Sequence, residues 1–376
     1  MLAQPPLWFI VVAFIAAIGP LVFIHELGHY LVARWCGVGA ETFSIGFGRE
    51  ILGWTDKQGT RWKVGWLPLG GYVKFVGDMN PASQSAEADD VPEVDRERAF
   101  QYKPVWQRFL IVLAGPLANF LLAIAIFMFF FATFGMPRTP AVVEAVLPGS
   151  AAAQVALAKG DRIVEAAGEN ITSFEDLRRV VAIRPGQRIV IAVDRGGTVR
   201  TIAVNLARDR QVDEFGQPYE IGLLGVMPVG RVLERPSLSS LVPEAVRYTA
   251  ALTGSMVDGL GQIISGARST KDLGGPLKMA QIAGQQASLG PFEFIQLLAL
   301  FSINLGFINL LPIPLLDGGH LMFYAAEAVR RRPVSARAQD WAFRGGLAFL
   351  LALLLFATAN DLASIGLFDR LGRLIG

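Results

Sequence analysis

Cysteine, histidine and charge are all scarce in this chain. One cysteine, Cys36, in 376 residues excludes an intramolecular disulfide framework and any zinc site built on paired cysteines. Charged residues are 18% and hydrophobic residues 52% of the sequence, far from the balance of a soluble domain. A net charge of +2 says nothing useful about nucleic acid, and no nucleic-acid partner is expected. No cleavable secretory leader is expected, because the first apolar run has no basic segment ahead of it and continues past any small-residue cleavage site.

The apolar residues gather in four runs, about 7–33, 109–134, 294–316 and 345–359, the last extending toward 367 past Asn360 and Asp361. The first three meet the roughly 20-residue length that spans a bilayer. The expected fold class is an α-helical polytopic membrane protein with four transmembrane helices, one inserted α+β domain and a membrane-associated β-hairpin. Membrane lipids are its expected surroundings. Short flanking segments set the orientation. No Lys or Arg precedes the first run, whereas the connection between runs three and four carries Arg330, Arg331, Arg332, Arg337 and Arg344. The positive-inside rule puts that connection and the 35–108 segment in the cytoplasm, with both termini and the 135–290 stretch on the other side. The expected division is a first span in 1–34, a cytoplasmic segment 35–108 and a second span 109–134. An extramembrane domain 135–210 and a connector 211–290 follow, then a third span 291–325, a basic loop 326–344, and a fourth span with its tail in 345–376.

Of only three histidines, two lie inside the first run, His25 and His29, with Glu26 between them. Four residues apart on a helix, the imidazoles share a face and can reach one metal ion. Glu26, about 100° further round the helix, suits a base acting on water held by that metal. Ionisable groups at membrane depth are costly and point to function. Hydrolytic zinc takes a third protein ligand. Pro312 and Pro314 break the third run, and Asp317 follows the break. A lone carboxylate there would be expensive, whereas a metal ligand would not. Asp317 is thus the leading third ligand. His320 is a rival ligand, and a helix cap is an alternative role for Asp317. Asn304 and Asn309 carry neutral amides suited to bonding a substrate backbone or a developing oxyanion. A helix–helix hydrogen bond is the other reading for Asn309.

Residues 62–76 are aromatic, β-prone and broken by glycine. They predict a hairpin near the metal, bent at Pro68 and Gly70-Gly71. Its free edge, with Gly70, Gly71 and Tyr72, is the candidate surface for pairing with an unwound substrate strand. Residues 80–99 read as an acidic surface loop, and 236–267 as a weakly amphipathic helix. In 135–210, a strand near 141–147, a Ser150 cap, a turn at Lys159-Gly160-Asp161, a helix from Thr172 to Val181 and a hairpin across Asp194-Arg195-Gly196-Gly197 make a small α+β module. Its order resembles a PDZ domain of the kind found in bacterial proteases, which binds extended peptides at a sheet edge. A spacing domain without a peptide groove fits the same sequence.

His25-Glu26-Leu27-Gly28-His29 paired with Asn309-Leu310-Leu311-Pro312-Ile313-Pro314-Leu315-Leu316-Asp317-Gly318 resembles the site-two family of intramembrane metalloproteases, in its bacterial regulator-of-sigma-E branch. Ile45-Gly46-Phe47-Gly48, Gly70-Gly71-Tyr72-Val73-Lys74, Ala114-Gly115-Pro116-Leu117-Ala118-Asn119-Phe120 and Gly274-Gly275-Pro276 carry the resemblance along nearly the whole chain. It implies a Zn2+ ion held by His25, His29 and Asp317, with Glu26 as base. It implies single-pass membrane proteins as substrates, anti-sigma-factor-like proteins or signal-peptide remnants, cut after a preceding site-one protease has acted on them. It also implies a bacterial cytoplasmic (inner) membrane, with both termini and the PDZ-like domain periplasmic. The branch includes members with two PDZ domains in tandem, and this chain has room for one. Two other classes remain open at this stage. A non-catalytic membrane scaffold would have no need of Glu26 between two ligands, and a zinc-dependent transporter would have no need of the hairpin and PDZ-like module.

Overall fold

The computed structural model describes residues 5–77, 93–212, 218–230, 232–266 and 274–364. The chain begins with helix α1 (Leu7–Trp35), strands β1 (Ala40–Thr55) and β2 (Arg61–Phe75), and helix α2 (Val105–Thr133). A strand-rich stretch follows: β3 (Met136–Arg138), β4 (Val143–Val146), α3 (Ala151–Gln154), β5 (Arg162–Ala166), β6 (Glu169–Asn170), α4 (Phe174–Ala182), β7 (Arg188–Arg195) and β8 (Thr198–Asn205). It continues through β9 (Ala207–Val212), β10 (Pro218–Leu223), β11 (Val226–Pro228) and β12 (Val232–Glu234). Helices α5 (Leu238–Ile264), α6 (Pro276–Leu289), α7 (Pro291–Leu310), α8 (Asp317–Arg330) and α9 (Ala336–Ser364) complete it. Two compact units result, one from Met1–Met128 with Ala245–Gly376, the other Phe129–Glu244.

Among the described residues, four helices are long and apolar enough to cross a membrane: α1, α2, α7 and most of α9. In α9, Leu347, Phe349, Leu351, Leu353, Leu355 and Phe356 are all exposed, an apolar surface that suits hydrocarbon and would be a liability in water. α1 buries a narrow line instead. Ala13, Ala17, Leu21, His25, His29 and Ala33 recur every fourth residue and are buried. Small residues at its N-terminal end let α6 approach: Ala283, Met279 and Ile282 share a core with Ala17 and Leu21. Residues 211–290 are therefore more than a connector, since α6 is part of the helical core.

Three other boundaries differ from the sequence expectation. The third apolar run is helical only to Leu310, and the rest of 291–325 is an irregular turn and the start of α8. α9 begins at Ala336, so most of the basic 326–344 loop is helical. Its first two turns are polar, with an Arg344–Asp340 ion pair one turn apart, and an apolar window misses them. In the second unit the domain expected in 135–210 continues to Glu244, because β4 pairs with β11 and β3 with β12. Long-range pairing of such short strands leaves no periodic trace in sequence. Most of the acidic stretch expected in 80–99, and the tail past 364, lie outside the described residues.

Local chemistry in that unit follows the sequence closely. The sheet order is β6-β5-β7-β8, over a core that includes Ile163, Ile191, Val193, Leu177 and Val180. Ser150 caps α3 through Ala153 N, and Ser173 with Asp176 forms a capping box on α4, each such cap stabilising by about 1 kcal/mol.

The β1–β2 ribbon belongs to the helical unit. The chain reverses at Asp56–Thr60 and again between 64 and 71, where Pro68 and Gly70-Gly71 mark the expected bend; the two arms of β2 run in opposite directions and flank the first part of β1. The Asp56 carboxylate accepts from Gln58 N, Thr60 N and Trp62 Nε1, and from the Tyr30 hydroxyl of α1. These donors hold Asp56 below its ordinary carboxylate range, Trp62 most of all. Phe43 stacks on Trp62 at 4.3 Å and joins Tyr30, Ala33, Val73, Phe75 and Ile111 in one core. The first part of β1 lies between both ends of β2, pairing Phe43 with Trp62 and with Val73. Among the described residues, 71–75 pairs on one side only, against 40–45, and is a sheet edge.

Candidate metal centre and active site

The buried line on α1 places His25 and His29 one turn apart, facing α2. Contact there is close because the facing residues are small. A β-carbon on Gly28 would lie 2.4 Å from the Ala114 carbonyl oxygen, and one on Gly115 would lie 2.2 Å from His29 Nε2. His29 Nδ1 donates to the Ile111 carbonyl at 2.8 Å. That bond fixes the tautomer and leaves Nε2 with its lone pair.

Asp317 comes from the other end of the chain. Pro312 and Pro314 end α7 at Leu310, and the chain turns through Leu315 at φ +85 before α8 begins at Asp317. The turn folds back onto the start of α8. A β-carbon on Gly318 would lie 2.2 Å from the Leu311 carbonyl oxygen, so only glycine fits there. Asp317 Oδ2 then sits 3.1 Å from His25 Nε2 and 3.5 Å from His29 Nε2, and the two Nε2 atoms are 3.3 Å apart.

These separations test the site for zinc. Tetrahedral zinc with ligands at 2.0–2.1 Å has ligand-to-ligand distances of roughly 3.3 Å. The three measured edges bracket that value. Asp317 Oδ2 is moreover buried without a hydrogen-bond donor, a costly state for a carboxylate oxygen unless a cation faces it. Two imidazoles and one carboxylate are a common hydrolytic zinc donor set. The residues fit the metal.

A cavity of about 560 Å³ opens on this cluster, lined by Glu26, Tyr72, Asn309, His320, Arg108 and Glu327 among others. Glu26 lies beside the sheet edge: a β-carbon on Gly71 would meet its Cγ at 3.3 Å, and the Val73 backbone amide interacts with its carboxylate. Of the sequence candidates, His25, His29 and Asp317 meet, and Glu26, Asn309, Gly71 and Tyr72 line the same cavity. Gly70 and Asn304 are not among its lining residues. His320 lines the cavity outside the three-atom cluster, its ring 5.2 Å from Phe343. The supports from α2 are the Ile111 carbonyl, Gly115 and Asn119; the first leaves no sign in the sequence, which singles out Gly115 and Asn119 only within the stretch that carries the family resemblance, with no role attached. Asn119 has a physical signal as well, as the strongly polar residue within the second apolar run.

The sequence pattern that describes peptidase family M50 matches residues 13–353. The chain belongs to peptidase family M50. Its relatives include "Putative zinc metalloprotease Atu1380" of Agrobacterium fabrum, 44% identical over 362 residues, covering 94% of this chain and 96% of the relative. Another is "Metalloprotease MmpA" of Caulobacter vibrioides, 39% identical over 394 residues, covering 96% of this chain and 98% of the relative. The chain is a zinc metalloprotease. Among solved structures, a PDZ domain of an SdrC-like protein from Listeria monocytogenes covers 24% of this chain and 88% of that domain at 22% identity and a TM-score of 0.19. That likeness is too slight to bear on the fold.

Proposed function

We propose that this M50 protease cuts peptide bonds within or at the edge of apolar helices of single-pass membrane proteins, in the bacterial inner membrane. The observation that carries the reading is a hydrolytic donor set with its two histidines inside an apolar helix and a sheet edge beside the base. His25, His29 and Asp317 hold the metal. Zinc in that position supplies Lewis acidity, lowering the pKa of water and polarising a carbonyl. Glu26 takes a proton from the attacking water at its carboxylate and delivers it to the leaving nitrogen. Asn309, across the cavity, offers its amide N–H to the carbonyl oxygen as charge develops there.

A helix hides its carbonyls in hydrogen bonds, so the substrate must unwind. The unpaired side of 71–75 takes the unwound strand through main-chain hydrogen bonds. Glycine or proline in the substrate lowers the unwinding cost by about 1 or 3 kcal/mol and favours cleavage. The basic connection before α9 is cytoplasmic, and the PDZ-like unit periplasmic, where it meets substrates already shortened by a site-one protease.

Purified wild-type protein and Glu26→Gln, each in detergent with a model single-pass substrate, test the reading. Glu26→Gln should keep its zinc and lose cleavage by several orders of magnitude. Appreciable cleavage by the zinc-loaded variant sinks the assignment of the base. Wild-type protein that cuts a soluble extended peptide and leaves the membrane substrate intact sinks the intramembrane role.

A further inference from the structure

Asn119 is 0% exposed, in α2 one turn beyond Pro116. Its backbone carbonyl accepts from Ser302 Oγ of α7 at 2.7 Å, which pins this turn of α2. Its side-chain amide lies 3.1 Å from His25 Nδ1 through Nδ2, and its Oδ1 is buried without a partner. The two ends of an amide have the same shape, so hydrogen bonding decides which faces the ring. Either orientation leaves one amide atom unpartnered, and the imidazole decides. An N–H donated to Nδ1 would put the single ring proton of a neutral His25 on Nε2. That atom faces His29 Nε2 and Asp317 Oδ2, and a protonated nitrogen cannot bind a metal. With Oδ1 toward the ring, Nδ1 carries the proton and Nε2 keeps its lone pair.

His29 displays the same arrangement, since its Nδ1 donates to a carbonyl of α2, that of Ile111. One turn back along α1 and two turns on along α2, His25 meets Asn119. Both imidazoles are thereby held from behind by one neighbouring helix.

We propose that Asn119 is a positioning residue of the metal centre: its Oδ1 accepts from His25 Nδ1 and reserves Nε2 for the metal. The inference rests on His25 being a ligand, and the test separates the two. Zinc affinity is measured against graded chelator on the purified full chain, as wild type, Asn119→Leu, Asn119→Asp and His25→Ala. Asn119→Leu should weaken zinc binding roughly 10- to 100-fold, the usual loss on removing an outer-shell partner, with the Tm of the metal-free protein little changed. Asn119→Asp keeps an acceptor and should bind zinc as tightly as wild type or more so. Wild-type affinity in Asn119→Leu, or Asn119→Asp as weak as Asn119→Leu, overturns the proposal. Tight zinc binding by His25→Ala overturns the ligand assignment beneath it. Should Asn119→Leu fail to fold, nitrogen NMR of the zinc-loaded wild type decides, with histidine as the labelled residue. A protonated Nδ1 on His25 is expected, and metal bound through Nδ1 refutes the idea.

Discussion

Gly115 touches His29 so closely that a β-carbon at position 115 would lie 2.2 Å from Nε2. The absent side chain is what lets the imidazole lie against α2 and reach the Ile111 carbonyl. Gly115→Ala should push the ring out of line. Overpacking of this kind costs about 1–3 kcal/mol, which the helical core can absorb, whereas misplacing a ligand by an ångström costs on the order of a hundredfold in rate. The expected outcome is a folded protein with reduced zinc content and cleavage down by about that factor. Metal analysis and turnover on one preparation check it, and normal zinc with normal turnover would show that the ring has room.

Asp317 and His320 are separable by metal content. Asp317→Ala should remove most of the zinc, and His320→Ala should leave about one zinc per chain, as expected of a three-ligand catalytic site. The reverse pattern would exchange their roles.

Prolines along 71–75 discriminate the two sides of the edge strand. A proline removes one backbone N–H. Where that N–H points into the ribbon, the sheet should suffer, seen as a lower Tm. Where it points outward, zinc and Tm should hold while cleavage falls sharply. If no proline variant with intact zinc and Tm shows slower cleavage, strand addition here is wrong.

Asp161 gives the second unit an acid limit. It is 1% exposed and accepts from Arg195 Nε and Nη2, both at 2.6 Å. The Arg195 hydrogen bonds hold its carboxyl below the ordinary value of 3.8. A depressed carboxylate stabilises the fold above its ordinary range, and that stability is lost as pH falls through the lower, folded-state value. Hydrogen exchange in β5 and β7 should show protection falling as the pH drops below about 4. Asp161→Asn should lower protection at neutral pH by about 2 kcal/mol, the scale of a hydrogen bond to a charged group, and flatten the acid fall. An unchanged acid profile in the variant would assign the limit elsewhere.

The candidate site was legible where its logic was local or its cost conspicuous. His25 and His29 share a face by helix period alone, and Asp317 stands out as a carboxylate behind two prolines. The caps at Ser150 and Ser173 were equally local. The supports were hidden because they join distant segments: Ile111 meets His29 across 82 residues, and Asn119 meets His25 across 94. A backbone carbonyl has no sequence signature, and a glycine that makes room looks like any other glycine. In the ribbon, the bend at Pro68 and Gly70-Gly71 was legible because those residues are strong turn formers, whereas the reversal at Asp56–Thr60 is set by four hydrogen bonds converging on Asp56, one of them from Tyr30 of α1. α6 escaped notice because its contact with α1 uses small residues, which carry little amphipathic pattern.

The cluster of His25, His29 and Asp317 has a consequence for the order of synthesis. α1 leaves the ribosome long before α8 is made. At ~5–20 residues per second the carboxylate follows the imidazoles by on the order of 15–60 s. Throughout that interval the growing chain holds half a coordination sphere. With Asp317 as a ligand, a truncated product that stops short of α8 should be inert, however well its earlier parts have folded, and the protease should become armed only when α8 is in place.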